Sequence, residues 1–184
     1  MSATVCAGSS VALGAQSRAH SSTRNGGCAH ARLRPTKQNI SLIRGATLCL
    51  VNRERVARGE RPLRPDGRLR SAAQAHTESM AFGNYFEHVG PYGQTPLTRM
   101  RDAGYISSHV GYEVGENIAW GTLGLATPRA IVAAWMASPA HRANILDPRY
   151  QQTGIGVSPH PPRSLAHGQA GAIYTQDFGV IIAG

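Results

Sequence analysis

The periodicity of the apolar residues changes along this chain, and that change limits the folds open to it. Near the front, apolar side chains recur at steps of three and four, which predicts a helix over residues 36–58. Thr36 is its expected cap and Gly59 its stop. Residues 153–158 and 172–180 alternate instead, which predicts two antiparallel strands. Helices that precede strands are typical of an α+β protein.

Capping residues and spacing predict the other elements. Asp66 can cap a second helix. The apolar face of that helix is Leu69, Ala72, Ala73, His76 and Met80. A Thr-Pro or Ser-Pro pair then opens three shorter helices, at Pro96, Pro128 and Pro139. The stretch "YEVGENIAWG" predicts a strand or an extended segment that lines a cleft, and "HPPRSLAHGQ" predicts an exposed loop.

Length and charge narrow the class of protein. The 184 residues are enough for one domain plus a tail, and no apolar run approaches the length of a transmembrane helix. The net charge of +9 comes from the front, because residues 1–70 hold 13 Lys and Arg against 3 acids. Residues 71–184 hold 6 against 7. Without a nucleic-acid-binding motif, we expect no specific nucleic-acid partner, and only weak attraction to anionic cell-surface polymers.

The first residues differ in composition from the rest. Residues 1–27 are rich in Ser, Ala and Gly and have no periodicity, which predicts a disordered or degenerate signal-like tail. We expect a single domain over 28–184, present as a monomer.

The three cysteines allow one pair and one leftover thiol. No Cys-x-x-Cys spacing occurs, which argues against a thiolate zinc site. Cys28–Cys49 is the better pair, with Cys6 left over. Cys49 lies about 20 Å along the first helix, and the extended residues from Cys28 to Thr36 span about 26 Å, so the thiols can meet.

Polar residues in loops and at helix starts are the candidates for chemistry. They are His88, Glu116 and His141. Two imidazoles and a carboxylate could bind a divalent metal such as zinc with one position left for water. They could equally form a hydrogen-bonded cluster that holds three loops together, which composition alone favours. Asn144 lies three residues after His141 on the same helix face and could orient the segment that carries Glu116.

Other polar and aromatic residues favour structural roles. His76 lies on an apolar stripe, which favours a hydrogen-bonded core histidine over a ligand. Asp177 in "YTQDFG" is expected to face outward on an edge strand or to pair with an arginine. Trp120 and Trp135 are expected to anchor the core.

Four motifs in this order give the chain a family resemblance. They are "YFEHVGPYGQTPLTRMRDAGY", "VGENIAWG", "AAWMASPAHRANILDPRYQQTGIGV" and "YTQDFG". Together they resemble the bacterial branch of the CAP family, which groups the cysteine-rich secretory, antigen-5 and pathogenesis-related proteins and is also called SCP-like. The resemblance covers about residues 28–181.

The resemblance implies an exported α-β-α sandwich with a small antiparallel sheet between helical layers. In many relatives two histidines and two glutamates line a central cleft, and in some they bind a divalent metal. His88 and Glu116 match the first histidine and the glutamate of the "GEN" motif, and His141 is the match to the second histidine. Ser138 stands where the second glutamate is usual, so the resemblance implies a triad at most.

Three functions remain open at this stage. The first is an extracellular or cell-envelope domain whose cleft binds a small ligand, lipid, glycan or divalent metal without clear catalysis. The second is a metal-assisted hydrolase with Glu116 as base or ligand, although no serine or cysteine lies beside a base in a recognisable motif. The third is a scaffold in which the triad is architectural. The family resemblance favours the first.

Overall fold

A computed structural model describes residues 27–108 and 111–182. Within these ranges the helices are α1 (Ile40–Val56), α2 (Gly67–Gly83), α3 (Pro96–Asp102), α4 (Pro128–Ala137), α5 (Pro139–Leu146) and α6 (Arg163–Ala166). The strands are β1 (Arg64–Pro65), β2 (Gly111–Thr122), β3 (Gln152–Ser158) and β4 (Gly171–Ile182). None of the helices in these ranges is long and apolar enough to cross a bilayer. The tail prediction and the expectation for Cys6 concern residues that lie outside the described ranges.

The four strands form one sheet in the order β1-β3-β4-β2. The predicted pairing of the late segments is confirmed, because β3 and β4 are antiparallel with Thr153 opposite Phe178 and Ser158 opposite Ile173. The "GENIAWG" segment lies in β2, which pairs antiparallel with the other side of β4. The two-residue β1 adds a parallel edge to β3 that the sequence does not predict.

Helices cover both faces of the sheet, which confirms the α-β-α sandwich. On one face α2 crosses β3 and β4. A Cβ at Gly154 would overlap the backbone of Arg70, and one at Gly156 would overlap the carbonyl of Ala73. Glycine is therefore needed at both positions for α2 to lie directly on β3. This close contact fixes the position of α2 on the sheet.

The opposite face carries a core built with α1, α4 and α5. Its buried members include Ile43, Trp135, Ile145, Ile155 and Phe178. Trp135 is the expected core anchor, and its indole Nε1 donates a hydrogen bond to the Ile118 carbonyl at 3.2 Å. Trp120 is half-buried and packs against a smaller cluster on the α2 face.

Helix starts follow the predicted caps except at α1. The Asp66 carboxylate accepts from the backbone N–H groups of Arg68 and Leu69 at 2.8 and 3.2 Å. Thr36 does not cap α1, so that prediction is wrong. Its own N–H donates to the Asn39 side chain at 2.8 Å in a turn, and the helix begins at Ile40.

The disulfide Cys28–Cys49 is confirmed, with the two Cα atoms 5.8 Å apart. It fastens the chain before α1 to the middle of that helix. The Ala31 carbonyl in the fastened segment accepts from the Arg129 N–H at 2.9 Å. The disulfide therefore links the segment before α1 to that helix, and the hydrogen bond links the same segment to α4.

Arg55 is a second link between distant parts of the chain, and the sequence does not predict it. Its side chain is fully buried and points from α1 to the turn between α5 and β3. It donates to the carbonyls of Arg61, Ile145, Asp147 and Tyr150 at 2.6–3.3 Å. Burial lowers the pKa of Arg55. Four carbonyls thus replace the water lost by one guanidinium.

The segment between β3 and β4 differs from the exposed loop that the sequence predicts. It contains α6, and Pro161 and Pro162 are buried. The Ser164 N–H donates to the Asn84 side chain at 2.8 Å, which attaches this segment to the end of α2.

Candidate functional site

Glu116 lies in the middle of β2, on the sheet face covered by α2. Its side chain is only 2% exposed, although β2 lies at the edge of the described sheet. The strand register places Glu116 directly opposite Asp177 of β4. Two acidic side chains therefore lie next to each other in the interior. Burying both as carboxylates is costly unless cations compensate their charge or one of them keeps its proton.

Two side chains donate hydrogen bonds to the Glu116 carboxylate. One oxygen contacts Nδ1 of His88 at 2.7 Å, and the other accepts from Nη2 of Arg99 at 2.6 Å. His88 comes from the loop between α2 and α3, and Arg99 comes from α3. The predicted contact between Glu116 and His88 is therefore present, and Arg99 adds a partner that the sequence analysis does not include.

Arg99 also fixes the loop that carries His88. Its Nη1 donates to the carbonyls of His88 and Gln94 at 3.0 and 2.7 Å. Thr95 caps α3, with its hydroxyl accepting from the Thr98 N–H at 3.2 Å, so the helix holds Arg99 in a defined direction. One buried guanidinium thus sets the position of both the loop backbone and the carboxylate.

These contacts determine the protonation state of Glu116 and the orientation of His88. Burial alone would raise the pKa of Glu116, but the hydrogen bond from His88 and the charge of Arg99 outweigh it and hold the pKa below its usual value. Because the carboxylate is ionised, Nδ1 of His88 carries the hydrogen. In the neutral ring Nε2 then has a free lone pair. The His88 side chain is 50% exposed, so the imidazole contacts the buried Glu116 carboxylate on one side and solvent on the other.

Asp177 does not face outward, so that expectation is wrong. It is fully buried on β4, which lies between β3 and β2 rather than at an edge. As a carboxylate it has no hydrogen-bond partner among the described residues, but once protonated it can donate to Glu116. Burial, and then the charge of Glu116, raise the pKa of Asp177 well above its usual value. Asp177 is therefore a neutral acid beside an ionised one.

His76 is a buried histidine behind this pair, on α2. Its Nε2 donates to the Glu87 carbonyl at 2.9 Å, and the residue is 1% exposed. Burial lowers its pKa to about 4, against the opposing charge of Glu116. The interpretation as a neutral, hydrogen-bonded core histidine therefore accounts for its position.

His141 and Asn144 reach the site from α5, on the other face of the sheet. The Asn144 amide donates to the Glu116 carbonyl at 3.1 Å and to the Asn117 side chain at 2.9 Å. Asn117 in turn donates to the His141 carbonyl at 3.1 Å. Asn144 thus holds the backbone that carries Glu116, as its spacing suggests.

The His141 ring is half-buried and has no side-chain hydrogen bond to Glu116 among the described residues. Burial is the main cause that lowers the pKa of His141. A Cβ at position 115 would meet the Tyr150 hydroxyl, so Gly115 allows Tyr150 to lie close to β2.

The donor set does not fit a divalent cation in this arrangement. Both oxygens of Glu116 are taken by His88 and Arg99, and a guanidinium beside the carboxylate repels a metal ion. Within residues 27–108 and 111–182, no three His, Cys, Asp or Glu side chains are grouped for metal binding. Ser138, where relatives carry a second glutamate, lies between α4 and α5.

Arg99 and Asp177 are the site residues that sequence reasoning does not find. A buried carboxylate implies a cationic partner, but "PLTRMRD" offers both Arg99 and Arg101. Arg99 is buried while Arg101 lies outside against Tyr112. Only the packing direction of α3 distinguishes them.

The fold and the paired histidine and glutamate at the strand edge define a cysteine-rich secretory protein domain. The family model for the cysteine-rich secretory (CAP) proteins matches residues 48–178, and the chain belongs to this family.

Relatives and solved structures agree with this assignment. The chain is 36% identical over 141 residues to the uncharacterized protein YkwD of Bacillus subtilis, covering 76% of this chain and 48% of YkwD. It is 32% identical over 111 residues to the membrane protein YlbC of the same organism, covering 60% and 30%. The chain thus spans less than half the length of either relative.

A solved extracellular protein with an SCP domain, from Bacillus anthracis, superposes with a TM-score of 0.60 at 26% identity. The match covers 78% of this chain and 43% of that one. A shared fold does not assign a ligand, so the function must be argued from the site.

Proposed function

We propose that this protein is a secreted or cell-envelope domain whose cleft, between His88 and His141, binds a hydroxyl-bearing ligand of the glycan class. The observation that carries the proposal is the pairing of buried Glu116 with the half-exposed His88. The extracellular Bacillus anthracis relative supports the location, and so does a disulfide, which persists in oxidising compartments.

The chemistry of binding follows from the tautomer of His88. Glu116 holds the hydrogen on Nδ1, so Nε2 can accept a hydrogen bond from a sugar hydroxyl. Arg99 and Asn144 keep the carboxylate and its strand from moving, so the imidazole is presented in one orientation. The His88 side chain is therefore already ordered before the ligand binds, which reduces the entropy lost on binding.

A second candidate is a hydrolase in which His88 acts as a general base on water. The specific observation that favours it is the same carboxylate–imidazole pair, in which Glu116 holds the hydrogen on Nδ1 and leaves Nε2 free to accept a proton. Ligand turnover, rather than binding alone, distinguishes the two. In the third candidate, a scaffold, His88 could be replaced without loss of any binding.

The test is binding of N-acetylglucosamine oligosaccharides, measured by calorimetry on the oxidised protein. We expect saturable binding that His88→Ala abolishes and that His160→Ala, a change at an exposed histidine elsewhere, leaves intact. Equal binding by both variants, or none by the wild type, would contradict the glycan proposal. Release of shorter oligosaccharides that stops with His88→Ala would establish the hydrolase.

A further inference from the structure

A cavity of about 390 Å³ opens on the far side of the sheet from the His88 cleft. It lies between α1 and the start of α2, against the outer edge of β3. Arg44 and Ser41 of α1 and Arg70 of α2 line it, with an apolar floor at Leu48 and Ile155. We call it the α1–α2 cavity.

Among the described residues, hydrogen bonds occupy the outer edge of β3 at Thr153 and at Val157, but not between them. Alternate residues of an antiparallel strand point their backbone groups to the same side. The Thr153 carbonyl accepts from the Asp66 N–H at 2.9 Å. Val157 is held by Gln74, whose side chain accepts from its N–H at 2.9 Å and donates to its carbonyl at 3.2 Å.

Ile155 lies between these two positions. By this alternation its N–H and carbonyl point away from β4, toward the α1–α2 cavity. Backbone groups at such depth are normally paired, so an N–H donor that faces a cavity is an unusual feature. It is a donor that a ligand oxygen can use.

Arg44, Arg70 and one acid, Asp66, line the cavity, and neither arginine forms an ion pair with Asp66 in the described part of the chain. Arg44 donates to the Gln74 side chain at 2.6 Å, but its Nε is buried without a partner among the described residues. Burial, and then the charge of Arg70, lower the pKa of Arg44. Arg70 itself forms no ion pair in the described part of the chain.

The nearest acids are already engaged. Asp66 caps α2 and pairs with Arg68 at 2.9 Å, so the α2 terminus offers little to a ligand. The charge of Glu78 raises the pKa of Arg44 by less than burial and Arg70 lower it, and the Glu78 carboxylate accepts from the Gln74 amide at 2.7 Å. The cavity thus has an excess of donors and of positive charge.

We propose that the α1–α2 cavity binds an organic oxyanion, a carboxylate or a phosphate monoester that carries an apolar group. The oxygens contact the guanidinium groups of Arg44 and Arg70 and the Ile155 N–H, because planar guanidinium forks suit both anions. The apolar group lies on Leu48 and the Ile155 side chain. This is a second site, separate from the His88 cleft.

The test uses four probes at low salt: hexanoate, hexyl phosphate, hexanol and inorganic phosphate. The readout is the amide resonance of Ile155 in a two-dimensional NMR spectrum. We expect saturable shifts with hexanoate and hexyl phosphate, weaker binding of inorganic phosphate, and none of hexanol. Tighter binding of hexyl phosphate assigns the natural head group to phosphates, and the reverse order assigns it to carboxylates. Hexanol that binds as well as hexanoate would overturn the proposal.

Variants identify the cations. Arg44→Gln and Arg70→Gln should each weaken hexanoate binding about tenfold, the loss of one charge-assisted hydrogen bond. Arg58→Gln changes the net charge equally in the turn that follows α1, outside the cavity, and should leave binding unchanged. Arg70 has no partner to lose, so its variant retains the fold. Weakening by Arg58→Gln equal to that by Arg70→Gln would refute the site, and His88→Ala should have no effect on it.

Discussion

Glu116 and Asp177 face each other across β2 and β4, one ionised and the other neutral, and both are buried. The difference comes from their partners. Glu116 has His88 and Arg99 on its two oxygens, whereas Asp177 has no cationic partner among the described residues and can only donate its proton to Glu116. The site is therefore a set of coupled charges rather than a pair of isolated acids.

The first prediction concerns the buried ion pair. Glu116→Gln should lower the free energy of unfolding by about 3 kcal/mol, because it leaves the Arg99 guanidinium buried without its counter-charge. Arg99→Met should cost a similar amount, and the double variant should cost less than the sum of the two. Urea denaturation of the three variants gives the cycle. Additive losses would mean that the two side chains do not interact.

The second prediction concerns Asp177 and pH. A carboxyl whose folded pKa is raised imposes no penalty below its unfolded pKa, near 3.8, and an increasing one above it. The stability of Asp177→Asn relative to the wild type should therefore rise between pH 4 and pH 7. Chemical denaturation at both pH values measures it, with Asp102→Asn on the exposed end of α3 as control. A difference that is the same at both pH values would contradict the neutral acid.

The third prediction concerns His76. Its pKa is lowered from 6.5 to about 4, so it remains neutral in the fold while the unfolded chain gains a proton. Stability should fall as the pH drops from about 6.5 to about 4, by up to about 3 kcal/mol from this residue. His76→Gln should remove that part of the slope. Thermal melts across this range test it, and an unchanged slope would show that His76 titrates freely.

The fourth prediction concerns the disulfide. Replacing Cys28 and Cys49 by alanine should lower the unfolding free energy by about 3 kcal/mol in the chain-entropy model. The loss should be largest for the contact between the Cys28 segment and α4, where Ala31 accepts from Arg129. Cys6→Ala should change nothing measurable. Hydrogen exchange at the Arg129 amide reports the local loss, and protection equal to the wild type would argue against this role.

Much of the fold follows from local patterns in the sequence. The spacing of apolar residues and the caps at Asp66 and Thr95 predict α2 and α3, and alternation predicts β3 and β4. The start of α1 is misplaced because Asn39 bonds back to Thr36 and ends the preceding turn. Competing local hydrogen bonds of this kind have no periodic signal.

The site is less accessible to sequence reasoning than the fold. The approach of Glu116 to His88 is predictable once the family motif is recognised. The burial of Asp177 depends on strand order, because alternation does not say which strand is central. The selection of Arg99 over Arg101 depends on how α3 lies on β2. Both are tertiary effects that local patterns do not encode.

The most direct test of the proposed ligand cleft is the nitrogen NMR spectrum of His88 during titration with an N-acetylglucosamine tetramer. We expect Nδ1 to stay protonated toward Glu116 while the Nε2 resonance shifts saturably as it accepts a hydrogen bond. His160 in the same sample serves as the internal control and should not shift. Saturable binding of the tetramer with an unchanged Nε2 resonance would show that His88 is not the acceptor for the ligand.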